Sequence, residues 1–386
     1  MSKETLRDGI HGMVPRAEMS EAARRHRDFY EMKPGASIIQ REFGFYSLER
    51  WIAEGHIRQD TNIHEIFGFE ENGIERLGDL GWTEAEFYPR FESKWVEDRG
   101  DHEVILDEAG RHVLYFKGRR SGFMPEYLEH PVKDWKTWKE DCKWRLDPTT
   151  PGRFAAIEQS LPIAKAGAAQ GKIVQQGLIG GYMYLRSLIG PLELLYKFYD
   201  EPKLIHDCMK TWFELADAII AKRQEALTID EIFFGEDICY NHGSLISPEM
   251  MREFLLPYYQ QLITNLRKRQ IDKNRHLYIQ VDTDGFCDPV ISIYKEIGMD
   301  IMSPFEVASG CDVVRTGKEY PELRMTGGFD KRIIAESKDA IDREIERILP
   351  LMKARGGYIP TCDHGVPEEV SFENYVHFRN RLKEFV

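Results

Sequence analysis

The chain has 386 residues, of which 42% are hydrophobic and 30% are charged, a composition that supplies a folded core and excludes a disordered or collagen-like protein. Its 52 basic and 65 acidic residues give a net charge of −13, which disfavours binding that depends on neutralising nucleic-acid phosphates or an anionic membrane. The apolar runs are far shorter than the roughly 20 residues of a membrane span. We therefore expect neither nucleic acid nor membrane as a partner.

The number and spacing of the cysteines indicate the cellular compartment of the protein. The six cysteines are scattered without a CxxC pair, and the N-terminal residues do not have the pattern of a secretory signal. We expect free thiols and a cytoplasmic protein.

The first 150 residues lack a repeating strand and helix pattern. Residues 1–35 are polar and mostly helical in pattern, and a first strand is predicted over 36–46, centred on 38–43. Farther on, the β-rich runs 103–106 and 112–116 flank a turn-forming segment, which predicts an antiparallel hairpin. We interpret residues 1–150 as an N-terminal extension that carries the first barrel strand and an inserted subdomain on the substrate side.

From residue 151 onward, short apolar runs alternate with helix-length amphipathic segments, a pattern typical of parallel strands covered by helices. Strands are predicted at 173–176, 231–234, 277–281, 300–302, 323–326 and 357–359. With the strand near 38–43 and one more near the insertion, the count reaches eight. The predicted fold is α/β, a (β/α)8 TIM-type barrel with an N-terminal extension and an inserted hairpin and helical region, and residues 151–386 form its main part.

Ionisable side chains follow several predicted strands, where the working loops of a β/α barrel lie. The candidate metal ligands are Asp282, Asp284, Glu306 and His364. Carboxylates that meet at one barrel mouth repel one another unless a cation lies between them, and oxygen ligands with one imidazole suit a divalent metal. The alternatives are a simple turn at Asp284, a salt bridge at Glu306 and a structural histidine at His364.

Further candidates follow two other predicted strands. Glu236 and Asp237 are candidates for catalytic proton transfer, because one member of a carboxyl pair often has a raised pKa; loop capping is the alternative. The substrate-binding candidates are Tyr182, Tyr184, Arg186, Tyr240 and Asn241. For the tyrosines and the arginine after 180–181, core packing is the alternative.

Several segments together carry a family resemblance. They are 247–250, 254–258, 281–285, 327–330, 364–367 and 372–374. In these segments the chain resembles the uroporphyrinogen decarboxylase superfamily, which includes the zinc-dependent corrinoid methyltransferases, and the resemblance implies a TIM-type barrel and a homodimer. The decarboxylase branch carries an Arg-Gln-Ala-Gly-Arg stretch that grips its substrate's carboxylates, and the nearest basic run, 24–27, lacks the centre of that motif.

The resemblance also implies a reaction. In the methyltransferase branch a His-x-Cys pair and a later cysteine hold zinc, and the matching positions here are Asp282, Asp284 and His364. Because oxygen and imidazole ligands leave zinc a harder Lewis acid than thiolates do, the exchange favours cleavage of a methyl ether. The methyl group would pass to the Co(I) centre of a separate corrinoid protein. Residues 124–138 also resemble the aromatic-rich part of the O-demethylase methyltransferase I branch, which favours an aryl substrate.

Two alternatives remain open at this point. One is decarboxylation of the uroporphyrinogen type without a metal. The other is a module that binds a corrinoid protein or a tetrapyrrole without catalysis.

Overall fold

The computed structural model describes residues 10–120 and 125–386, so Met124 lies outside the described residues. The strands are β1 (Ile74–Leu80), β2 (Lys94–Arg99), β3 (His102–Leu106), β4 (His112–Phe116), β5 (Glu126–Glu129), β6 (Ile173–Ile179), β7 (Glu231–Gly235), β8 (Cys239–Tyr240), β9 (Gly243–Ser244), β10 (Tyr278–Asp282), β11 (Ile301–Ser303), β12 (Arg324–Thr326) and β13 (Tyr358–Ile359). The helices are α1 (Glu21–Tyr30), α2 (Leu48–Ala53), α3 (Ile63–Phe67), α4 (Trp135–Thr137), α5 (Ala155–Ala169), α6 (Gly181–Ile189), α7 (Pro191–Asp200), α8 (Pro202–Gln224), α9 (Pro248–Phe254), α10 (Leu256–Arg269), α11 (Asp288–Lys295), α12 (Val313–Glu319), α13 (Lys331–Glu336), α14 (Lys338–Arg355) and α15 (Phe372–Lys383). Within these described ranges, no helix has the length and apolar character needed to cross a bilayer.

Seven parallel strands form the central sheet, in the order β1, β6, β7, β10, β11, β12, β13. This spatial order follows the chain order, as in a singly wound β/α barrel and unlike a doubly wound sheet, in which the order reverses. All seven residues of β6 are buried, because helices cover the outside of the sheet and side chains fill its inside. The fold is therefore α/β with a parallel central sheet, and all six strands predicted after residue 151 are confirmed.

The predicted first strand at 36–46 is wrong. This segment forms no ladder with its neighbours: its one β-bridge joins Phe45 to Val366, and its other contacts with the C-terminal part of the chain are isolated hydrogen bonds, many of them through side chains. The first strand of the sheet is β1, which pairs with β6. The apolar pattern misses β1 because Glu75, Arg76 and Asp79 interrupt it, and a strand with a free edge tolerates such polar residues.

The predicted hairpin is confirmed as β3 and β4. It belongs to an antiparallel sheet in the order β2, β3, β4, β5, which forms the inserted region. The Asp107 carboxylate accepts the N–H groups of Ala109 and Arg111 and so closes the turn. Val104, Ile105 and Val113 are buried and anchor the hairpin.

Helix α1 covers the N-terminal end of the central sheet. Ser20 caps the helix by accepting the N–H of Ala23. Phe29 and Tyr30 at its other end pack against the first residues of several strands, including Ile74 and Ile173. This end is closed by that apolar packing and by the buried ion pairs of Asp230 with Arg27 and Arg275, which leaves the carboxyl ends of the strands as the face for a candidate site.

Candidate active site

Acidic side chains gather where β7 and β10 end. Asp282 is the last residue of β10, and its carbonyl accepts the N–H of Glu236 at 2.8 Å, which ties the two strand ends together. The buried Asp282 carboxyl also accepts a hydrogen bond from Ser303. Burial, together with the nearby carboxylates of Asp237 and Asp284, raises the pKa of Asp282 to about 7. An acidic cluster therefore occupies this part of the mouth.

One imidazole faces this cluster. The Nε2 atom of His364 lies 3.6 Å from Oδ2 of Asp284, and this carboxylate raises the pKa of the histidine. The ring stacks on Tyr46 with centroids 5.8 Å apart and also contacts Phe43. The structure thus brings together two predicted ligands that follow different strands, Asp284 after β10 and His364 after β13.

The donor chemistry at this point fits a divalent cation. Asp237, Asp282 and Asp284 lie close enough for their charges to interact, and His364 is the group of opposite charge that acts on Asp282. Such a set of carboxylates with one imidazole is stabilised by a bound metal ion. Among the described residues, however, the donor atoms of the predicted ligands do not come within 4.8 Å of one another as a group. Binding therefore requires these side chains to move closer together.

Glu306 is committed to other partners. Its Oε1 atom accepts from Nζ of Lys331 at 3.1 Å, and its Oε2 atom accepts the N–H of Gly285 at 2.9 Å. Lys331 Nζ also lies 3.7 Å from the buried carboxylate of Asp363. The sequence leaves two interpretations of Glu306, a metal ligand or a salt-bridge partner. The structure favours the salt bridge. Sequence reasoning assigned no role to Lys331, although it lies in the segment that follows the predicted strand at 323–326.

Glu236 is fully buried and anchored on both oxygens. Oε1 accepts the N–H of Tyr182 at 3.0 Å, and Oε2 accepts the hydroxyl of Tyr259 at 2.7 Å. Burial raises the pKa of Glu236 to about 7. These contacts make it a positioning residue for the start of α6. Asp237, which is half-buried, lies beside the Asp284 carboxylate instead, and it adopts a left-handed φ of 40°.

The predicted substrate contacts divide into three groups. Tyr184 is a correction: it is 2% exposed and packs in the core with Cys142 and Cys208, so it does not reach the mouth. Tyr182 and Tyr184 are two positions apart on α6, which turns them roughly 200° from each other. Tyr182 is a correction as well: it is 1% exposed beside Glu236, so its ring offers no surface to a substrate.

Arg186 and the β8–β9 hairpin lie nearer the solvent. One guanidinium nitrogen of Arg186 is 3.4 Å from the Asp237 carboxylate. Tyr240 and Asn241 are exposed on the hairpin, and Asn241 accepts a hydrogen bond from Ser309. These residues form part of the rim.

An aromatic pair that sequence reasoning missed lies next to the acidic cluster. Trp82 stands two residues beyond β1 and stacks on Phe233 of β7, with centroids 5.9 Å apart and an interplanar angle of 20°. A Cβ atom on Gly235 would lie 2.9 Å from the Trp82 ring, so glycine leaves room for the indole at the end of β7. Trp82 is 48% exposed and therefore offers a flat apolar surface to a ligand.

The strand order and the polar groups at the carboxyl ends define a protein of the β/α barrel type with a candidate site at the barrel mouth. The family model "Uroporphyrinogen decarboxylase (URO-D)" matches residues 127–385, more than half of the chain. The chain therefore belongs to the uroporphyrinogen decarboxylase family, as its sequence motifs predict.

Individual relatives are distant. The chain is 27% identical over 145 residues to the uroporphyrinogen decarboxylase of Geobacter metallireducens and 24% identical over 138 residues to that of Geotalea daltonii. Each alignment covers 35% of this chain and 37% of the relative's length. A methyltransferase from Methanosarcina mazei has a similar structure with a TM-score of 0.56 at 14% identity, covering 94% of this chain and 98% of that one. This likeness establishes a shared fold over nearly the whole of both chains.

Proposed function

We propose that the protein is a zinc-dependent methyltransferase that cleaves a methyl ether, preferably an aryl ether, and passes the methyl group to the Co(I) centre of a separate corrinoid protein. The observation that carries this proposal is the acidic pair Asp282 and Asp284 facing His364. The nearby ammonium group of Lys331 is held by Glu306 and Asp363 and does not neutralise the pair.

Asp282, Asp284 and His364 would hold the ion. A zinc ion supplies Lewis-acid chemistry there, which stabilises the negative charge that develops on a departing alkoxide or phenoxide. Three protein ligands leave one position open, as in other catalytic zinc sites. Glu306 is left out of this ligand set because both of its oxygens already accept hydrogen bonds.

The remaining residues bind and orient the substrate. Trp82 and Phe233 provide a stacking surface for an aromatic ring. Asp237, whose pKa is raised by burial and by Asp284, is placed to deliver a proton to the departing oxygen. Glu236 holds Tyr182 and Tyr259 in place beneath these groups.

Decarboxylation without a metal is the second candidate, because the curated relatives carry the name uroporphyrinogen decarboxylase. The electrostatics of the mouth argue against it. A porphyrinogen that carries several carboxylates would meet the acidic pair Asp282 and Asp284, and like charges at short distance repel strongly. The cations nearest to this cluster, Arg186 and Lys331, are already paired.

Metal content tests the ligand set. We expect Asp284→Ala and His364→Ala to lose the zinc bound at the mouth, and Glu306→Gln to keep it. His276→Ala is the matched control, because His276 forms a similar pair with Asp300 at 3.0 Å, before β10 and away from the mouth. Retention of this ion in both Asp284→Ala and His364→Ala would contradict the proposed ligands.

Cobalamin spectroscopy tests the reaction. Reduced corrinoid protein is mixed with the enzyme and a panel of aryl methyl ethers, and the formation of methyl-cobalt is followed by absorbance. We expect turnover that a chelator abolishes. Release of CO2 from a porphyrinogen that is insensitive to chelator would favour the decarboxylase, and tight corrinoid-protein binding without turnover would favour a non-catalytic module.

A further inference from the structure

A second group of metal-binding side chains lies apart from the acidic pair and its histidine. Cys287 and Asp288 stand at the start of α11, and Cys311 lies just before α12. One donor atom from each residue lies within 4.8 Å of the other two. Both cysteines are buried, at 0% and 2% exposure. Two separate loops of the barrel, those that follow β10 and β11, therefore meet at a cluster of two sulfurs and a carboxylate.

The spacing of the two sulfurs matches a shared metal ion. The Sγ atoms of Cys287 and Cys311 are 3.7 Å apart, well beyond the roughly 2.05 Å of a disulfide bond. Two thiolates bound tetrahedrally to zinc at about 2.3 Å each lie about 3.8 Å from one another. The pair thus already has the separation of two ligands of one ion.

Asp288 supplies an independent observation. Its Oδ1 atom is buried and has no hydrogen-bond partner among the described residues, whereas Oδ2 is paired with Arg315. A buried carboxylate oxygen without a partner is unfavourable. A cation between this oxygen and the two sulfurs would satisfy it.

The local charges balance with a divalent ion. Two thiolates and one carboxylate carry three negative charges, and a divalent cation with the Arg315 guanidinium carries three positive charges. Each thiol releases its proton as the sulfur binds the ion. Thiolate ligands select soft or borderline ions such as Zn²⁺ over Mg²⁺ or Ca²⁺.

We propose that Cys287, Asp288 and Cys311 bind a thiophilic divalent cation of the zinc type, separate from the ion of the proposed active site. The Asp288 side chain is 21% exposed, so a water molecule completes the coordination from the solvent side. The ion joins the loop after β10 to the loop after β11. It thereby fixes the segment that follows Asp282 and Asp284.

Substitution with Co²⁺ tests this site independently of the proposed function. Cobalt bound by thiolates gives an intense sulfur-to-metal charge-transfer band, which a site made of carboxylates and imidazole does not give. We expect the reduced wild-type protein to show the band. The double variant Asp284→Ala with His364→Ala should keep it, even though it loses the other ion.

Substitutions at the cluster complete the experiment. Cys287→Ser and Cys311→Ser should each lose the band, and Asp288→Asn, which keeps both thiols, should weaken Co²⁺ binding at least tenfold. Cys208→Ser, at a buried thiol in the helix layer, is the matched control and should keep the band. Absence of the band in wild-type protein whose six thiols are reduced, or its persistence in Cys287→Ser, would overturn the proposal. So would an intact mass that is lower by two hydrogens, because it reveals a disulfide in place of the ion.

Discussion

Glu236 makes the stability of the protein depend on pH. Its pKa is about 7 in the folded protein, compared with about 4.5 in an unfolded chain, so between these values the folded state binds more protons. The free energy of unfolding therefore decreases as the pH rises from about 4.5 to about 7, by about 3 kcal/mol from this residue. We expect Glu236→Gln to reduce that decrease in urea titrations at about pH 5 and about pH 8.

The exposed Glu373→Gln serves as the control for this measurement, because Glu373 is 57% exposed. Asp282 and Glu231, whose pKa values burial also raises to about 7, leave a residual slope in every variant. An unchanged slope in Glu236→Gln would show that the carboxyl group stays ionised in the fold.

Trp82 should determine affinity for an aromatic substrate. We expect Trp82→Ala to raise the dissociation constant of an aryl ligand about tenfold, equivalent to about 1.4 kcal/mol, because the stacking surface over Phe233 is lost. Trp144→Ala is a matched control, since Trp144 is 46% exposed and lies away from the mouth. Equal effects of the two substitutions, measured by calorimetry, would remove Trp82 from the binding site.

The candidate site could be predicted only in part from its residues. The pairing of Asp284 with His364 follows from a general property of parallel strands, whose carboxyl ends meet at one face. The engagement of Glu306 by Lys331 does not follow, because it depends on side-chain reach across two loops. The position of Tyr184 after a strand predicts that it lies at the mouth, but the helical turn directs it into the core.

At the level of elements, Gly285 determines how the β8–β9 hairpin packs on the loop after β10. Its φ of +81° is unfavourable for other residues, and a Cβ atom would lie 2.8 Å from the backbone of Tyr240. We expect Gly285→Ala to destabilise the protein by about 3 kcal/mol, from strain and displacement together. Denaturant unfolding measures this effect.

The substitution Gly100→Ala separates the cost of backbone strain from the cost of displacing the hairpin. Gly100 has a similar φ of +72° with open space around it, so Gly100→Ala retains only the conformational term of about 1 kcal/mol. If Gly285→Ala and Gly100→Ala lowered the free energy of unfolding by similar amounts, displacement of the β8–β9 hairpin would cost no free energy.

The strands show which elements a sequence pattern can predict. Strands that are largely buried, such as β6 and β7, contain more apolar than polar residues, and the pattern locates them to within a few residues. β1 carries charged residues at its free edge, so the apolar sequence pattern does not distinguish it from a loop. The segment 36–46 has the composition of a strand, but its hydrogen bonds go to side chains and to the C-terminal region instead.

For the whole molecule, Asp230 joins the N-terminal helix to the base of the sheet. Its buried carboxylate accepts hydrogen bonds from Arg27 of α1, from Arg275 and from the backbone of Val174. We expect Asp230→Ala to lower the free energy of unfolding by about 4 kcal/mol, because two buried guanidinium groups lose their partner. Metal content at the mouth should not change.

An exposed ion pair provides the comparison. Glu296 pairs with Arg252 at 2.7 Å on the surface, and Glu296→Ala should leave the free energy of unfolding nearly unchanged, because solvent screens an exposed pair. If Asp230→Ala were as mild in urea unfolding, α1 would not be coupled to the base of the sheet through this cluster.

Because segment 36–46 joins no ladder, the backbone hydrogen bonding around the barrel wall is interrupted at this segment. A complete ring of backbone hydrogen bonds fixes the circumference of a barrel, but here Ile39 packs between Ile74 and Ile359 without joining a ladder. The hydrogen bonds of this segment run instead to side chains and to the C-terminal region. We expect its backbone amides, which have no ladder partner, to exchange with solvent sooner than those of β6 or β7.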